Sequence, residues 1–327
     1  MTAEFDLIAR IRARAAARAD VVLGIGDDAA LLQVPAGHWL VVATDTLNAG
    51  VHFPHDAAPA DIGWKALAVN LSDLAAMGAE PAWCTLSLSL PTGDAAWLDG
   101  FLDGFLALAA EQGVALVGGD TTHGPLSVCV TVHGFVAPER ALRRDGARVG
   151  DEVWVSGTLG DAAAALRLLG IGTPADAAPV RAAPAERAFL LARLHRPVPR
   201  LALGRALAGL AHACIDVSDG LLADLGHVCR ASGVGAELML AELPASPALR
   251  AACETGVRQA LQATGGDDYE LCFTAAPAQR AALEALAAAT DTPLTRIGRI
   301  VAGAGVRALA ADGRPWQPPR RGYEHFG

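Results

Sequence analysis

Six segments of the chain place aspartate beside glycine or a hydroxyl residue. They are Gly24-Ile25-Gly26-Asp27-Asp28, Thr44-Asp45-Thr46, Asn70-Leu71-Ser72-Asp73, Gly118-Gly119-Asp120, Asp216-Val217-Ser218-Asp219-Gly220 and Gly265-Gly266-Asp267-Asp268-Tyr269-Glu270. Any one of them alone reads as a turn or a helix cap, the ordinary use of Asp next to Gly. Asp219 could cap the helix behind it, and Asp27 could close a turn. Asp73 resists that reading, because it lies on a helical stretch among Leu71, Leu74, Ala75 and Ala76. A carboxylate on a mostly apolar helix needs a partner. With no Lys or Arg nearby, a metal ion is the simplest one. Carboxylates with a hydroxyl such as Thr44 suit hard cations, Mg²⁺ above all, whereas no Cys/His spacing fits zinc. Several Mg²⁺ ions beside Gly-rich turns that offer backbone N–H groups are what polyphosphate binding requires.

The composition narrows the classes. The 327 residues are 52% hydrophobic and carry a net charge of -9, a length for one large or two ordinary domains. An acidic chain lacks the basic surface that non-specific nucleic-acid binding needs. No apolar stretch is long enough to span a membrane. The six cysteines form no C-x-x-C pair and read as free thiols in a reducing compartment. The arginine-rich stretch from Arg10 to Arg18 is flanked by Glu4, Asp6 and Asp20. It reads as a surface helix rather than a transit peptide, and the protein as cytoplasmic. Lys65 is the only lysine, and Ile62-Gly63-Trp64-Lys65-Ala66 fits neither a P-loop nor the strand lysine of a protein kinase.

The elements that must hold these residues alternate. Strands are predicted at Trp39 to Thr44, Trp83 to Leu90, Val114 to Val117 and Leu126 to Val136, with helices at Asp61 to Met77 and Asp94 to Gln112. Beyond a charged connector at Pro138 to Gly150, strands are predicted at Glu152 to Ser156, Ala213 to Val217, Tyr269 to Thr274, Arg296 to Val301 and Val306 to Ala310. Helices are predicted from Asp161, at Glu186 to Leu194, at Leu201 to Leu210, up to Cys229, and at Pro277 to Ala289. The pattern is α/β, with strands too alternating for one all-parallel sheet. Two domains are expected, 1–137 and 138–327.

The segments GIGDDAAL, TDTLNAGVHF, KALAVNLSDLAAMGAEPAW, LVGGDTTHGPL, IDVSDGLLADLGH and GGDDYELCF resemble, in order, those of the thiamine-monophosphate kinase family. The resemblance runs from about Gly24 to Phe326. It implies the two-domain fold of aminoimidazole ribonucleotide synthetase, with a ferredoxin-like N-terminal domain that binds metal and nucleotide and dimerises, and an α/β C-terminal domain. The implied reaction moves the γ-phosphoryl group of ATP to thiamine monophosphate, giving thiamine diphosphate and ADP, in a homodimer with several Mg²⁺ ions. By position, Asp28, Thr44, Asp45, Asp73, Asp120, Asp216 and Asp219 match the family's magnesium ligands, and Asp28, Asp45, Asp73, Asp120 and Asp216 are the residues expected to carry catalysis. Gly119, Asp120, Arg144 and Ser218 match ATP contacts, and His52, Asp267 and Tyr323 match contacts to thiamine monophosphate.

Two positions depart from the family pattern. Ala43 stands where relatives often have Ser, and Asp267 where they commonly have Glu. The rival readings are another ATP-using member of the superfamily and a non-catalytic nucleotide-binding module. Selenophosphate synthesis would want a reactive Cys or selenocysteine with a lysine before Gly24, and neither is present. An aspartyl-phosphate enzyme would want Asp-x-Asp at a strand end, and Asp45-Thr46-Leu47 lacks the second Asp.

Overall fold

The computed structural model describes residues 4–171 and 179–318. Two compact units emerge, residues 1–74 with 79–139, and residues 75–78 with 140–327.

In the first unit, helix α1 (Glu4–Arg14) precedes a short ribbon of β1 (Val21–Leu23) and β2 (Leu31–Leu32). Then come β3 (Trp39–Asn48), α2 (Pro59–Ala76), β4 (Glu80–Leu90), α3 (Ala95–Glu111), β5 (Ala115–His123) and β6 (Ser127–Val136). Strands β3 to β6 form a four-stranded sheet in the order β3-β6-β4-β5, in which only β4 and β5 run parallel. The alternation in β4 and β6 explains its two faces. Leu86, Leu88, Val128, Val130 and Val132 are buried on one side. Thr85, Ser87, Cys129 and Thr131 occupy the other, as the period of two requires. Toward one end that second face turns apolar. There Trp83 meets Phe135 edge-on at 4.9 Å, beneath Val21 and Leu32 of the β1–β2 ribbon.

Helices α2 and α3 touch through glycine. A Cβ on Gly104 would stand 1.7 Å from the Ala60 carbonyl oxygen, and one on Gly63 2.1 Å from that of Phe101. Both obstacles are backbone and cannot swing away.

In the second unit the order is β7 (Glu152–Ser156), α4 (Asp161–Leu168), α5 (Pro184–His195), α6 (Leu201–Leu207), β8 (Ala211–Asp216), α7 (Leu221–Ser232) and β9 (Gly235–Met239). It continues with α8 (Pro247–Ala252), α9 (Thr255–Thr264), β10 (Leu271–Ala275), α10 (Arg280–Ala289), β11 (Leu294–Val301) and β12 (Gly305–Leu309). The six strands are ordered β12-β9-β11-β7-β10-β8, with only β12 and β9 parallel. Val153, Val155, Ile215, Cys272 and Ile297 of the sheet pack with Leu221, Leu225 and Val228, the apolar stripe of α7. A second core joins α4, α5, α8 and α9 through Ala162, Ala165, Leu190, Leu194, Leu249 and Leu261.

The α/β reading therefore holds, with both sheets mixed. Two details correct the sequence reading. β3 continues through Asp45 to Asn48, and β5 through Asp120 to His123, so these aspartates lie within strands rather than at their ends. In addition β9, α8 and α9 carry no counterpart among the predicted elements.

Replacing Gly104 by Ala is expected to destabilise the fold by about 1–3 kcal/mol through overpacking. Gly256→Ala, whose Cβ would meet nothing within 4 Å, should be neutral or slightly stabilising. Urea denaturation of both variants checks this. Equal midpoints would contradict the close approach of α2 and α3.

Candidate functional site

In the first unit, strand register decides which candidate residues share a face. The cross-strand row Thr44, Thr131, Thr85, Gly118 lies next to the row Thr46, Cys129, Ser87, Asp120. Thr44 and Asp120 therefore point to the same side of the sheet, and Asp45 points to the other. The Thr44 hydroxyl lies 3.0 Å from that of Thr131 and donates to the Val130 carbonyl at 3.0 Å. Although they share a face, Thr44 and Asp120 sit on opposite edge strands, about 14 Å apart at ordinary strand spacing. Within this chain they cannot hold one ion together. Gly119 must be glycine: its φ is 149° and a Cβ would meet the Leu86 carbonyl at 1.8 Å.

Asp45 and Asp73 are brought toward each other through Asn70. The Asp45 N–H donates to Asn70 Oδ1 at 2.8 Å, and Asn70 Nδ2 donates to the Ala66 carbonyl at 2.9 Å. Asn70 and Asp73 are three residues apart on α2 and so lie on one side of it. Asp28 is exposed in the loop after β1, its N–H bonded to Asp27 Oδ1 at 2.8 Å. His52 Nδ1 accepts the Asn48 N–H at 3.0 Å. In the neutral ring the proton is therefore on Nε2, which makes that nitrogen a donor. Lys65 is buried, and its ammonium donates to the His52 carbonyl at 3.0 Å. The lone lysine thus braces the turn that carries the histidine.

In the second unit, β8 delivers Asp216, and the chain beyond it stays paired with the segment leading into β10. Leu271 pairs with Asp216. Val217 N–H donates to the Glu270 carbonyl at 2.8 Å, Tyr269 N–H to the Val217 carbonyl at 2.9 Å, and Asp267 N–H to the Ser218 carbonyl at 2.9 Å. Asp216, Ser218, Asp219 and Asp267 are gathered by this one pairing. Asp267 and Tyr269 have φ of 67° and 50°, and the Tyr269 hydroxyl donates to Asp267 Oδ1 at 3.1 Å. A left-handed residue favours a short polar side chain, which suits Asp here better than a longer Glu would. Arg144 is exposed, with its carbonyl held by the Ser232 hydroxyl at 2.9 Å. It lies within electrostatic reach of His227, as does Asp219. Burial, then the cations Arg230 and Arg144, hold the His227 imidazole below its usual range, while Asp219 opposes them. Tyr323 lies outside the described residues.

Residues that the sequence reading passed over hold this arrangement. Glu270 is buried, and its carboxylate is clasped by Arg200 through two bonds of 2.7 and 2.6 Å, by Arg193 at 2.9 Å and by the Ser156 hydroxyl at 2.6 Å. Asp268 Oδ2 accepts the Gly160 N–H at 2.8 Å, and its Oδ1 is buried without a hydrogen-bond partner among the described residues. Burial raises that carboxyl well above the usual range, against the Gly160 N–H that favours its charge. Asp224 Oδ2 accepts the N–H groups of Ser218, Asp219 and Gly220 at 3.1, 3.1 and 3.0 Å. Asp224 thus ties down the turn ahead of α7, whose N-cap position is Gly220 rather than Asp219. A signal was present in the sequence: Asp224 falls within the stripe Leu221, Leu225, Val228, the same anomaly that marked Asp73.

The donor set fits Mg²⁺. Burial, then Asp216 and Asp219, push the Asp224 carboxyl up to about 8, against the backbone N–H groups that favour its charge. These carboxylates therefore repel one another in a place that a cation would relieve. Among the described residues, no group of three or more His, Cys, Asp or Glu side chains could hold a metal ion by itself. Mg²⁺ needs no such cage, since it usually takes one or two carboxylates and completes its shell with water and substrate phosphate.

Residues 26–136 match the model for AIR synthase related protein, N-terminal domain, and residues 148–310 that for the C-terminal domain. The thiamine-monophosphate kinase of Escherichia coli strain K12 is 48% identical over 327 residues, covering 99% of this chain and 98% of its own. The crystal structure of thiamine-monophosphate kinase from Stenotrophomonas maltophilia K279a superposes with a TM-score of 0.86 at 57% identity, over 96% of this chain and 98% of that one. A further structure, AaThiL complexed with AMPPCP and TMP, gives 0.77 at 33% identity, over 98% and 96%.

Removing one partner of the Glu270 clasp leaves a buried carboxylate short of its countercharge. Arg200→Met is expected to cost about 3 kcal/mol of folding stability, read by urea denaturation. A loss below about 1 kcal/mol, the range of an exposed pair, would contradict the clasp.

Proposed function

The chain belongs to the AIR synthase related proteins and, within them, to the thiamine-monophosphate kinase family, and on that premise we propose that it phosphorylates thiamine monophosphate with ATP. It is an enzyme of the thiamine-phosphate kinase class. The products are thiamine diphosphate and ADP. The observation that carries the reading at the site is the pairing of Val217 and Ser218 with Asp267, Tyr269 and Glu270. It sets Ser218 and Asp219, matched to nucleotide and metal contacts, beside Asp267, matched to a contact with the acceptor.

The transfer is direct and in line. Thiamine monophosphate brings its own nucleophile, because a phosphate monoester with a second pKa of about 6 is largely a dianion near neutral pH. No strong general base is needed, and a site rich in Asp and poor in candidate bases fits. The obstacle is the approach of two anions, so positioning and charge neutralisation do most of the work. Several Mg²⁺ ions, held by Asp28, Thr44, Asp45, Asp73, Asp120, Asp216 and Asp219, supply the neutralising charge when bound. Arg144 offers a fork of donors to nucleotide phosphate. His52 donates from Nε2 toward the acceptor's phosphate. Asp267, steadied by Tyr269, presents a carboxylate to the acceptor, and Tyr323 a π-face to its pyrimidine or cationic thiazolium ring.

The first unit, taken as 1–137, is the metal- and nucleotide-binding and dimerisation domain, and 138–327 the α/β domain. A homodimer formed by the first unit is supported by Leu40 and Val42, apolar and exposed on the same face of β3 as Thr44. A cytoplasmic place is supported by six free cysteines, five of them buried. Among the described residues no helix is long and apolar enough to cross a membrane.

The purified chain with ATP and Mg²⁺ should release ADP only when thiamine monophosphate is present, with thiamine diphosphate in equal amount and thiamine inert. Acceptor-independent ADP, or none at all, would overturn the reading. Asp73→Asn should abolish turnover while leaving the circular dichroism spectrum and melting curve intact. Near-normal turnover would remove Asp73 from the metal set.

A further inference from the structure

The turn that carries Ser218 and Asp219 is shaped by a residue outside the set matched to ligands. β8 ends at Asp216 and α7 begins at Leu221, so the turn must reverse within four residues. Gly220 makes the reversal with φ of 118°, packed so that a Cβ would stand 2.8 Å from the Thr264 backbone. The N–H groups of Ser218, Asp219 and Gly220 then converge on one point, and Asp224 Oδ2 occupies it. Asp224 is buried, one turn into α7. Its own N–H bonds the Gly220 carbonyl at 3.0 Å, so the side chain reaches back over the turn that its backbone helps to close.

Two consequences follow from this geometry. Three converging N–H groups at a helix N-terminus would ordinarily make an anion site. Here the protein's own carboxylate fills it, so nucleotide phosphate cannot use these donors. With their N–H groups tied inward, Ser218 and Asp219 have their backbone direction fixed before any ligand arrives.

We propose that Asp224 is a positioning residue for nucleotide binding, one oxygen of which holds the 218–220 turn so that Ser218 and Asp219 are set for Mg²⁺-ATP. This rests on the proposed assignment of Ser218 and Asp219 as nucleotide and metal contacts. It does not depend on the identity of the phosphoryl acceptor.

Because all three bonds end on one oxygen, the role can be separated from charge. Asp224→Asn keeps an oxygen at the same reach and loses the charge. Asp224→Glu keeps the charge and moves the oxygen by one methylene. Binding of Mg²⁺ with a non-hydrolysable ATP analogue to the full-length chain, by calorimetry, is the readout. KM for ATP and for thiamine monophosphate are measured alongside.

Asn should bind within about 3-fold of the wild type. Glu and Ala should weaken binding by about 10-fold or more, the usual range for a partner that supports a ligand. KM for ATP should rise with it, and KM for thiamine monophosphate should stay unchanged. Loss in Asn with retention in Glu would show that Asp224 acts by charge and would overturn the proposal. Unchanged binding in Glu would overturn it too, as would a wild-type chain that binds no Mg²⁺-ATP. If Ala does not fold, the Asn and Glu pair still decides. A wild type that binds nucleotide but leaves thiamine monophosphate untouched would refute the proposed reaction, while the binding arm would still judge Asp224.

Discussion

The candidate residues of the second unit depend on one backbone pairing, that of Val217 and Ser218 with Asp267, Tyr269 and Glu270. Neither segment is regular strand, and two of its residues, Asp267 and Tyr269, have positive φ. Such a conformation persists only where its surroundings over-determine it. The buried Glu270 carboxylate supplies much of that constraint. Arg193, Arg200 and Ser156 fix one end of the segment, and Gly160 holds Asp268 beside it. From the other side Asp224 fixes the turn that follows β8. Asp216, Ser218, Asp219 and Asp267 are thus set by interactions that themselves bind no substrate.

In the first unit the constraint is sheet register. A strand alternates its side chains, so consecutive Thr44 and Asp45 must face opposite ways. Asn70 ties the Asp45 backbone to α2, and α2 carries Asp73 on the same side. Gly104 and Gly63 let α3 lie close against α2. What these elements deliver is almost wholly oxygen, from carboxylates and hydroxyls, with one lysine consumed by the His52 carbonyl. That inventory suits a reaction in which charge must be neutralised and reactants aligned.

Much of this was legible in the residues. The alternation of Thr, Ser and Leu from Cys84 to Leu90 gives a strand with one wet face, and the structure has it. Asp73 stood out because it interrupts an apolar helix. What escaped notice was long-range or irregular. β9, Gly235–Met239, opens on glycine and holds no β-branched or aromatic residue, so nothing local marks it as a strand. Gly118 and Gly119 suggested that a strand stops, yet β5 runs through them, and at Gly119 close backbone contact with β4 requires glycine. Arg193 and Arg200 lie 77 and 70 residues from Glu270, and no local pattern links them. Asp224 was legible in principle by the rule that singled out Asp73, but the denser aspartates just before it drew the reading.

In the proposed reaction this chain aligns two phosphates and never takes the phosphoryl group itself. The stereochemistry at phosphorus tests that most directly. With ATP made chiral at the γ-phosphorus and thiamine monophosphate as acceptor, a single in-line displacement inverts the configuration in the thiamine diphosphate formed, and inversion is the result predicted here. Retention would require two displacements through a phosphorylated residue, and would contradict an account in which the side chains only bind, orient and neutralise.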